Sequence, residues 1–113
     1  MRGMFLAGAA LLIMAGPALA DPIEGLWKTG SGNTAEIAPC GGALCITLKT
    51  GPHAGKRIGR FEVAGNGSYR GEVTDPANGK TYNGKGKLEG DVFTMSGCLL
   101  GRILCRSEKW ARM

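Results

Sequence analysis

Four cysteines carry the clearest chemistry in this sequence. Four residues separate Cys40 from Cys45, and six separate Cys98 from Cys105. Two such pairs could hold zinc, but neither has the Cys-x2-Cys spacing of zinc ribbons, and cysteines of exported proteins form disulfides. Four cysteines allow three pairings. We predict Cys40–Cys45 and Cys98–Cys105, because each bond closes a predicted hairpin and contributes about 2 kcal/mol in the chain-entropy model.

The other reactive side chains form no constellation that catalysis or metal binding requires. His53, the single histidine, lies in a Gly/Pro-rich loop without partners for metal ligation. Gly79-Lys80-Thr81 ends like a phosphate-binding loop, but Thr74 stands where that motif needs a glycine. The acidic residues occur singly, and no serine has a companion base in view. We therefore predict no enzyme, no metal and no cofactor.

The beginning of the chain has the pattern of a secretory signal peptide. A basic Met1-Arg2-Gly3 precedes an apolar run over residues 4–15, and Ala18-Leu19-Ala20 places small residues at a cleavage site. A membrane anchor would need about 20 apolar residues, more than this run provides. The residue directly after the cleavage point is Asp21 and not the cysteine that lipid attachment would require. We predict that residues 1–20 are removed before Asp21 and that the product reaches the periplasm or the medium.

Residues 21–113 are predicted to form one domain with a mild positive charge. The formal net charge is +5, and without Arg2 it becomes +4. The basic residues are spread thinly, with no run beyond Lys56-Arg57. This pattern favours a solvated surface with some attraction to anionic envelope polymers or lipids, and it predicts no nucleic-acid partner. After cleavage we expect no transmembrane segment, and a monomer.

Short segments of alternating polarity recur through the mature chain and predict an all-β fold. Their spacing of 8 to 12 residues, with glycine-rich turns between them, is typical of a meander of antiparallel strands. About eight strands favour a small up-and-down β-barrel, since closure removes exposed edges, although an open two-sheet sandwich has the same strand count. The predicted strands are Gly25–Thr29, Thr34–Ala38, Leu44–Lys49, Ile58–Val63, Ser68–Thr74, Lys80–Leu88, Val92–Cys98 and the second arm of a terminal hairpin.

Two further details follow from this alternation. Gly101-Arg102 fits a type II′ turn, and counting outward from it places Cys98 opposite Cys105. Gly84 and Gly86 share the inward side of their strand, which predicts a bend or the close approach of another side chain.

Several stretches resemble a family of small exported bacterial proteins known as domain of unknown function 2147. Asp21–Thr29 and Cys40–Cys45 resemble its start, and Gly71–Leu88 resembles its central motif. Gly97-Cys98 and Leu104–Ser107, with Trp110 and Arg112, resemble its ending. The resemblance implies a lipocalin-like (calycin) barrel and no known activity.

Calycin barrels resemble one another in a Gly-x-Trp on the first strand, under a cation from the last strand. Gly25-Leu26-Trp27 and Arg112, or Arg106, match those parts. First and last strands adjoin in a closed barrel, and arginine stacks well on tryptophan. We predict that Trp27, Trp110 and Arg112 are structural and close one end of the barrel.

Two functions fit these expectations. The first is a non-catalytic binding module that holds a small apolar or amphipathic ligand, with Tyr69, Tyr82 and Phe93 as candidate contacts. The second is a domain that interacts with an envelope protein, for instance as an inhibitor, through the loops at residues 50–57 and 75–80. A packed interior without an apolar cavity of about 300 Å³ would argue against the first function. The side chains that could fill it are Leu26, Ile37, Ile46, Leu48, Phe93 and Met95.

Overall fold

The computed structural model of the protein describes residues 20–98 and 105–113, with only the backbone of Cys105. Eight strands occur in these residues, close to the predicted positions. Their bounds are Gly25–Lys28 (β1), Thr34–Cys40 (β2), Ala43–Leu48 (β3), Arg57–Gly65 (β4), Ser68–Thr74 (β5), Thr81–Glu89 (β6), Val92–Cys98 (β7) and Cys105–Arg112 (β8). Within the described ranges there is no helix that could cross a membrane.

The strands form a closed antiparallel barrel in which each strand pairs with its neighbours along the chain. Closure comes from β1 and β8, where Trp27 lies opposite Arg112 and Lys28 opposite Ala111. The predicted up-and-down barrel is confirmed, and the two-sheet sandwich is wrong. Closure satisfies the backbone groups that an open sheet would leave at its edges.

Alternation along the strands fills the interior with apolar side chains. The buried core includes Trp27, Ile37, Leu44, Ile46, Leu48, Phe61, Tyr69, Phe93, Met95 and Trp110. Leu26 was expected among them, but it is 44% exposed. Its neighbour Trp27 points inward, and successive strand residues face opposite sides of a sheet, so Leu26 must face solvent.

The inward glycines of β6 make room for aromatic rings, as predicted. A Cβ atom on Gly84 would lie 2.8 Å from Cε1 of Phe61, and one on Gly86 would lie 2.4 Å from Cζ of Phe93. Real Cβ atoms do not approach other atoms so closely. These two positions therefore need glycine because the rings occupy the space of a side chain.

A β-bulge in β4 turns an additional side chain into the barrel. Gly59 pairs with Ile46 and Arg57 with Thr47, so Ile58 has no residue opposite it. Ile58 and Gly59 are consequently both buried, which strict alternation would not allow. The bulge adds Ile58 to the inner wall near the start of β4.

The structure confirms one of the two predicted disulfides. Cys40 and Cys45 are bonded across the β2–β3 turn, with their Cα atoms 5.7 Å apart. Cys98 lies opposite Cys105, so the predicted register of the last hairpin is also confirmed. The second disulfide depends on the side chain of Cys105, and the Gly101-Arg102 turn on residues 99–104. Both lie outside the described residues, and both stay predictions.

Candidate functional site

One end of the barrel, the closed end, is covered by residues 21–24, which we call the plug. The indole N–H of Trp27 donates to the carbonyl of Ile23 at 2.8 Å. The Arg112 guanidinium lies 4.3 Å from the centre of the Trp27 ring and donates to the carbonyl of Pro22 at 2.5 Å. The first strand, the last strand and the plug are thus joined through two side chains, Trp27 and Arg112.

Asp21 attaches the start of the plug to the opposite wall. Its Oδ1 accepts a hydrogen bond of 2.5 Å from the Tyr69 hydroxyl and another of 3.1 Å from the backbone N–H of Ile23. The backbone nitrogen of Asp21 donates to Oε2 of Glu24 at 2.8 Å. Burial of the phenol raises the pKa of Tyr69, and the hydrogen bond and charge of Asp21 raise it further.

An aromatic cluster fills the barrel above the plug. The ring of Phe93 lies at its centre, 5.7 Å from Trp27, 6.2 Å from Phe61, 5.8 Å from Tyr69 and 6.5 Å from Trp110, measured between ring centres. Most of these pairs are edge-to-face, an arrangement that aromatic quadrupoles favour. Tyr69 and Phe93, two of the three candidate ligand contacts, therefore belong to this cluster, and Tyr69 also contacts the plug through Asp21.

The other end of the barrel, which we call the mouth, contains a cavity of about 570 Å³ that is open to solvent. The β1–β2 turn, the β3–β4 loop and the β5–β6 turn lie at this end. Buried or partly buried apolar side chains form the floor of the cavity, and exposed or half-buried polar side chains form its rim. The floor consists of Ile58, Val73, Met95 and Trp110, and the rim includes Asp75, Arg106, Ser107 and Glu108; Tyr82, the third candidate contact, is part of the wall.

Glu108 fixes the rim where the ladder between β1 and β8 ends. Its Oε2 accepts hydrogen bonds from the backbone N–H of Gly30 at 2.8 Å and from the indole N–H of Trp110 at 2.5 Å. A Cβ on Gly30 would lie 2.8 Å from the Glu108 side chain, so the glycine permits this approach. Glu108 thus joins β8 to the β1–β2 turn beyond the last paired residues of β1 and β8. Its Oε2 accepts both hydrogen bonds.

Arg106 is the cation of the rim. It shares the inward side of β8 with Glu108, Trp110 and Arg112, because these residues are two apart. It is exposed, and within the described residues it forms no ion pair. The described lining of the cavity therefore combines an apolar floor with one guanidinium, which is suited to an amphipathic ligand with an anionic group.

The two loops that were predicted as a contact surface both lie at the mouth and are folded by their own hydrogen bonds. In the first, the N–H of Gly55 donates to Leu48 at 2.7 Å, and Leu48 donates to Lys56 at 2.9 Å. In the β5–β6 turn, Oδ1 of Asp75 accepts from the N–H of Ala77 at 2.8 Å. Both loops are held in defined conformations without a partner.

The described residues bring together no group of three histidine, cysteine, aspartate or glutamate side chains that could hold a metal ion. His53 lies in the loop before β4, half-buried and apart from the cavity lining. From the sequence, Glu108 was missed as a site residue, and Arg106 was considered only as an alternative to Arg112 for the cation over Trp27. The signal was available, because Glu108 is two residues and Arg106 four residues from Trp110, and even spacing places all three on one side of a strand.

Fold and mouth together define a small up-and-down β-barrel with one plugged and one open end. Residues 47–112 match the model of the family described as "Uncharacterized protein conserved in bacteria (DUF2147)", and the chain belongs to this family. Comparison with curated proteins gave no match, and comparison with solved structures gave none either. The family resemblance is thereby confirmed, with Asp21–Thr29 and Cys40–Cys45 lying before the matched range.

Proposed function

We propose that the mature chain is an exported, non-catalytic binding module for a small amphipathic ligand. The ligand's apolar part lies on the floor of the mouth cavity, and its anionic group contacts Arg106. The observation that carries this proposal is the cavity itself. Its volume of about 570 Å³ falls within the range of small-molecule sites, which combine mostly apolar walls with a few polar groups.

The charge of the ligand follows from the hydrogen bonds of the rim. Both donors near Glu108 bond to its Oε2, so this carboxylate is held in the wall by neutral N–H groups while its negative charge remains. Arg106 keeps its donors available, and guanidinium groups bind carboxylates, sulfonates and phosphates with two parallel hydrogen bonds. An anionic amphiphile is therefore the class of ligand that this mouth suits best.

Export to the periplasm is part of the same proposal. Its supports are the pattern of residues 1–20 and the Cys40–Cys45 disulfide, a bond typical of oxidising compartments. The contacts of Asp21 add a third. Cleavage before this residue would turn its nitrogen into an ammonium, and the bond to Glu24 would become charge-assisted.

Native mass spectrometry of the protein purified from the periplasm tests the whole proposal. We expect a mass that begins at Asp21, the mass deficit of two disulfides, and an additional mass from a retained ligand. A chain that keeps residues 1–20 would contradict export. Peptide mapping that joins Cys40 to Cys98 or Cys105 would contradict the structure as well as the predicted pairing.

The role of Arg106 can be tested with two probes that share the same rings. Anilinonaphthalene sulfonate carries one anionic group, and phenylnaphthylamine lacks it. Arg106→Gln should weaken binding of the sulfonate about tenfold, the lower end for a charged hydrogen bond, and leave the neutral probe nearly unchanged. The matched control is Arg57→Gln, which removes a guanidinium outside the cavity lining. Equal weakening by both variants would contradict the proposed contact.

The alternative function is binding of an envelope protein through the mouth loops. The observation that favours it is their internal hydrogen bonding, because a preformed loop loses little entropy on association. The test is affinity capture from periplasmic extract with wild type and with the Lys56→Glu/Arg57→Glu variant. A partner retained only by wild type would support this alternative, and capture of the same proteins by both would contradict it.

A further inference from the structure

The barrel gathers basic side chains on one part of its outer surface, although they are scattered in the sequence. Arg70 of β5 lies directly opposite Lys85 of β6. Lys87, two residues further along β6, lies opposite Thr94 of β7, which in turn lies opposite Lys109 of β8. All four cations are exposed. Adjacent strands are about 4.8 Å apart and alternate residues about 7 Å, so the four form one group, the outer basic face.

The charges of this face are not neutralised within the described residues. None of the four cations forms an ion pair, and Lys87 instead donates to the carbonyl of Asn66 at 3.2 Å. The acids that border this face are Glu62, which lies opposite Arg70, and Glu72 and Glu89, which lie two residues along their strands from Arg70 and Lys87. None of the three forms an ion pair with a cation of the face, and the Glu62 carboxylate lies 3.9 Å from Arg60. Like charges directly opposite each other destabilise a sheet. Arg70 and Lys85 keep this arrangement, which indicates a surface suited to an external anion.

Hydroxyl groups fill the positions between the cations. A shallow groove of about 320 Å³ runs over this face, and no carboxylate is part of its described lining. Ser96 lies opposite Lys85, and its hydroxyl lies 3.0 Å from that of Ser107. Besides Tyr69, whose hydroxyl is bonded to Asp21, the polar side chains that line the groove are Ser68, Arg70, Lys85, Lys87, Thr94 and Ser96. Every one of them can donate hydrogen bonds to phosphate oxygens.

We propose that the outer basic face docks on a membrane surface that contains anionic phospholipids. The charge complementarity is to several phosphates at once, because the cations are spread from β5 to β8 instead of converging on one point. The outer surface of the barrel is curved, but long lysine side chains can reach from it to a plane of head groups, where each lysine or arginine adds to the affinity. The proposal does not depend on ligand binding in the mouth.

The strands that carry the outer basic face also form part of the mouth, so docking on a membrane would position the mouth cavity. These strands are β5 to β8, and their ends carry Thr74, Tyr82, Gly97 and Arg106 at the mouth cavity. A barrel that lies with this face on a membrane therefore holds its mouth beside the lipid head groups. An amphipathic molecule could then pass between the bilayer and the cavity over a short distance.

Co-sedimentation of the mature chain with vesicles tests the proposal. One set contains phosphatidylcholine alone and the other adds one third phosphatidylglycerol. We expect binding to the anionic vesicles only, weakened as salt screens the charges. Lys85→Glu/Lys87→Glu should reduce the affinity about tenfold or more. The control Lys56→Glu/Arg57→Glu makes the same change of net charge in a mouth loop and should reduce it much less.

Each of the other outcomes overturns the proposal in a recognisable way. Equal losses in both variants mean that only net charge matters, and no sedimentation at low ionic strength means that the face does not dock on lipid. Displacement by millimolar inorganic phosphate indicates a discrete phosphate site, and preferential binding of duplex DNA indicates a nucleic-acid surface. If the first variant does not fold by circular dichroism, Arg70→Gln/Lys109→Gln makes the same test with milder changes.

Discussion

The two ends of this barrel are built by the same eight strands and differ in the side chains that those strands direct into the interior. Toward the closed end, β8 contributes Trp110 and Arg112. The Phe93 ring packs against Trp110 and Trp27, and the Arg112 guanidinium lies over the Trp27 ring. Toward the mouth, the same side of β8 contributes Arg106 and Glu108, and a cavity remains. The comparison teaches that alternation alone decides which residues face inward. Whether the interior is filled depends on their size and polarity.

Glycine distribution strengthens the contrast. Gly86 lies where the Phe93 ring leaves no space for a Cβ. Gly97 faces inward on β7 beside the mouth, and a Cβ added there would lie 3.4 Å from the Cβ of Tyr82, which is an ordinary contact. One glycine is needed for packing, and the other lines an open space. The closed end is thus the more tightly packed part of the molecule, and we expect substitutions at the mouth to affect the fold less.

The largest expected effect comes from removing an aromatic side chain at each end. Trp27→Ala leaves a cavity in the core and removes the surface on which Arg112 stacks, so the free energy of unfolding should fall by about 3–5 kcal/mol. Tyr82→Ala at the half-buried cavity wall should cost about 1 kcal/mol or less. Urea denaturation of both variants measures the two values. Similar losses would contradict the division into a packed end and an adaptable one.

A smaller effect is expected from adding a methyl group at each end. Neither Gly86 nor Gly97 has a positive φ, so alanine fits the backbone at both positions. Gly86→Ala places its Cβ 2.4 Å from Cζ of Phe93, and the overpacking should cost about 1–3 kcal/mol. Gly97→Ala meets an ordinary contact and should change stability by less than about 0.5 kcal/mol. Thermal unfolding compares the pair, and a more harmful change at Gly97 would show that the mouth is the better packed end.

Most of the architecture could be predicted from the sequence, because its causes are local. Two-residue alternation and glycine-rich turns predicted all eight strands within a few residues, and the hairpin spacing predicted the Cys40–Cys45 disulfide. The close approach at Gly84 and Gly86 was also predictable, since inward glycines in a strand indicate a neighbouring group. Leu26 was assigned to the interior wrongly because its hydrophobicity was given more weight than its position beside Trp27.

The features of the mouth and the outer face were harder to predict because they depend on register between strands. Nothing local to Gly30 indicates that its N–H bonds to Glu108, 78 positions away. The basic residues are spread thinly along the sequence, yet the pairing of β5 with β6 places Arg70 opposite Lys85. The β4 bulge that turns Ile58 inward had no signal in the alternation. Sites that are assembled from several strands require the register, which composition and periodicity do not specify.

The smallest expected effect concerns the plug and appears at alkaline pH. The pKa of Tyr69 is raised above the ordinary value of 10 by burial and by Asp21, so the folded chain holds the phenol proton more tightly than the unfolded chain. This contribution is complete below pH 10 and is lost as the pH rises through the folded pKa, by at most about 1.4 kcal/mol per pH unit.

Tyr69→Phe should therefore lose about 1 kcal/mol at neutral pH, where its hydrogen bond to Asp21 is missing, and should show a shallower decline above pH 10. Tyr82→Phe at the mouth is the matched control and should keep the decline of the wild type, because Tyr69 is unchanged. Urea denaturation at pH 8 and at pH 11 measures both slopes. If Tyr69→Phe declines as steeply as the wild type, the plug is not held by this phenol, and the stability of the closed end rests on Trp27 and Arg112 alone.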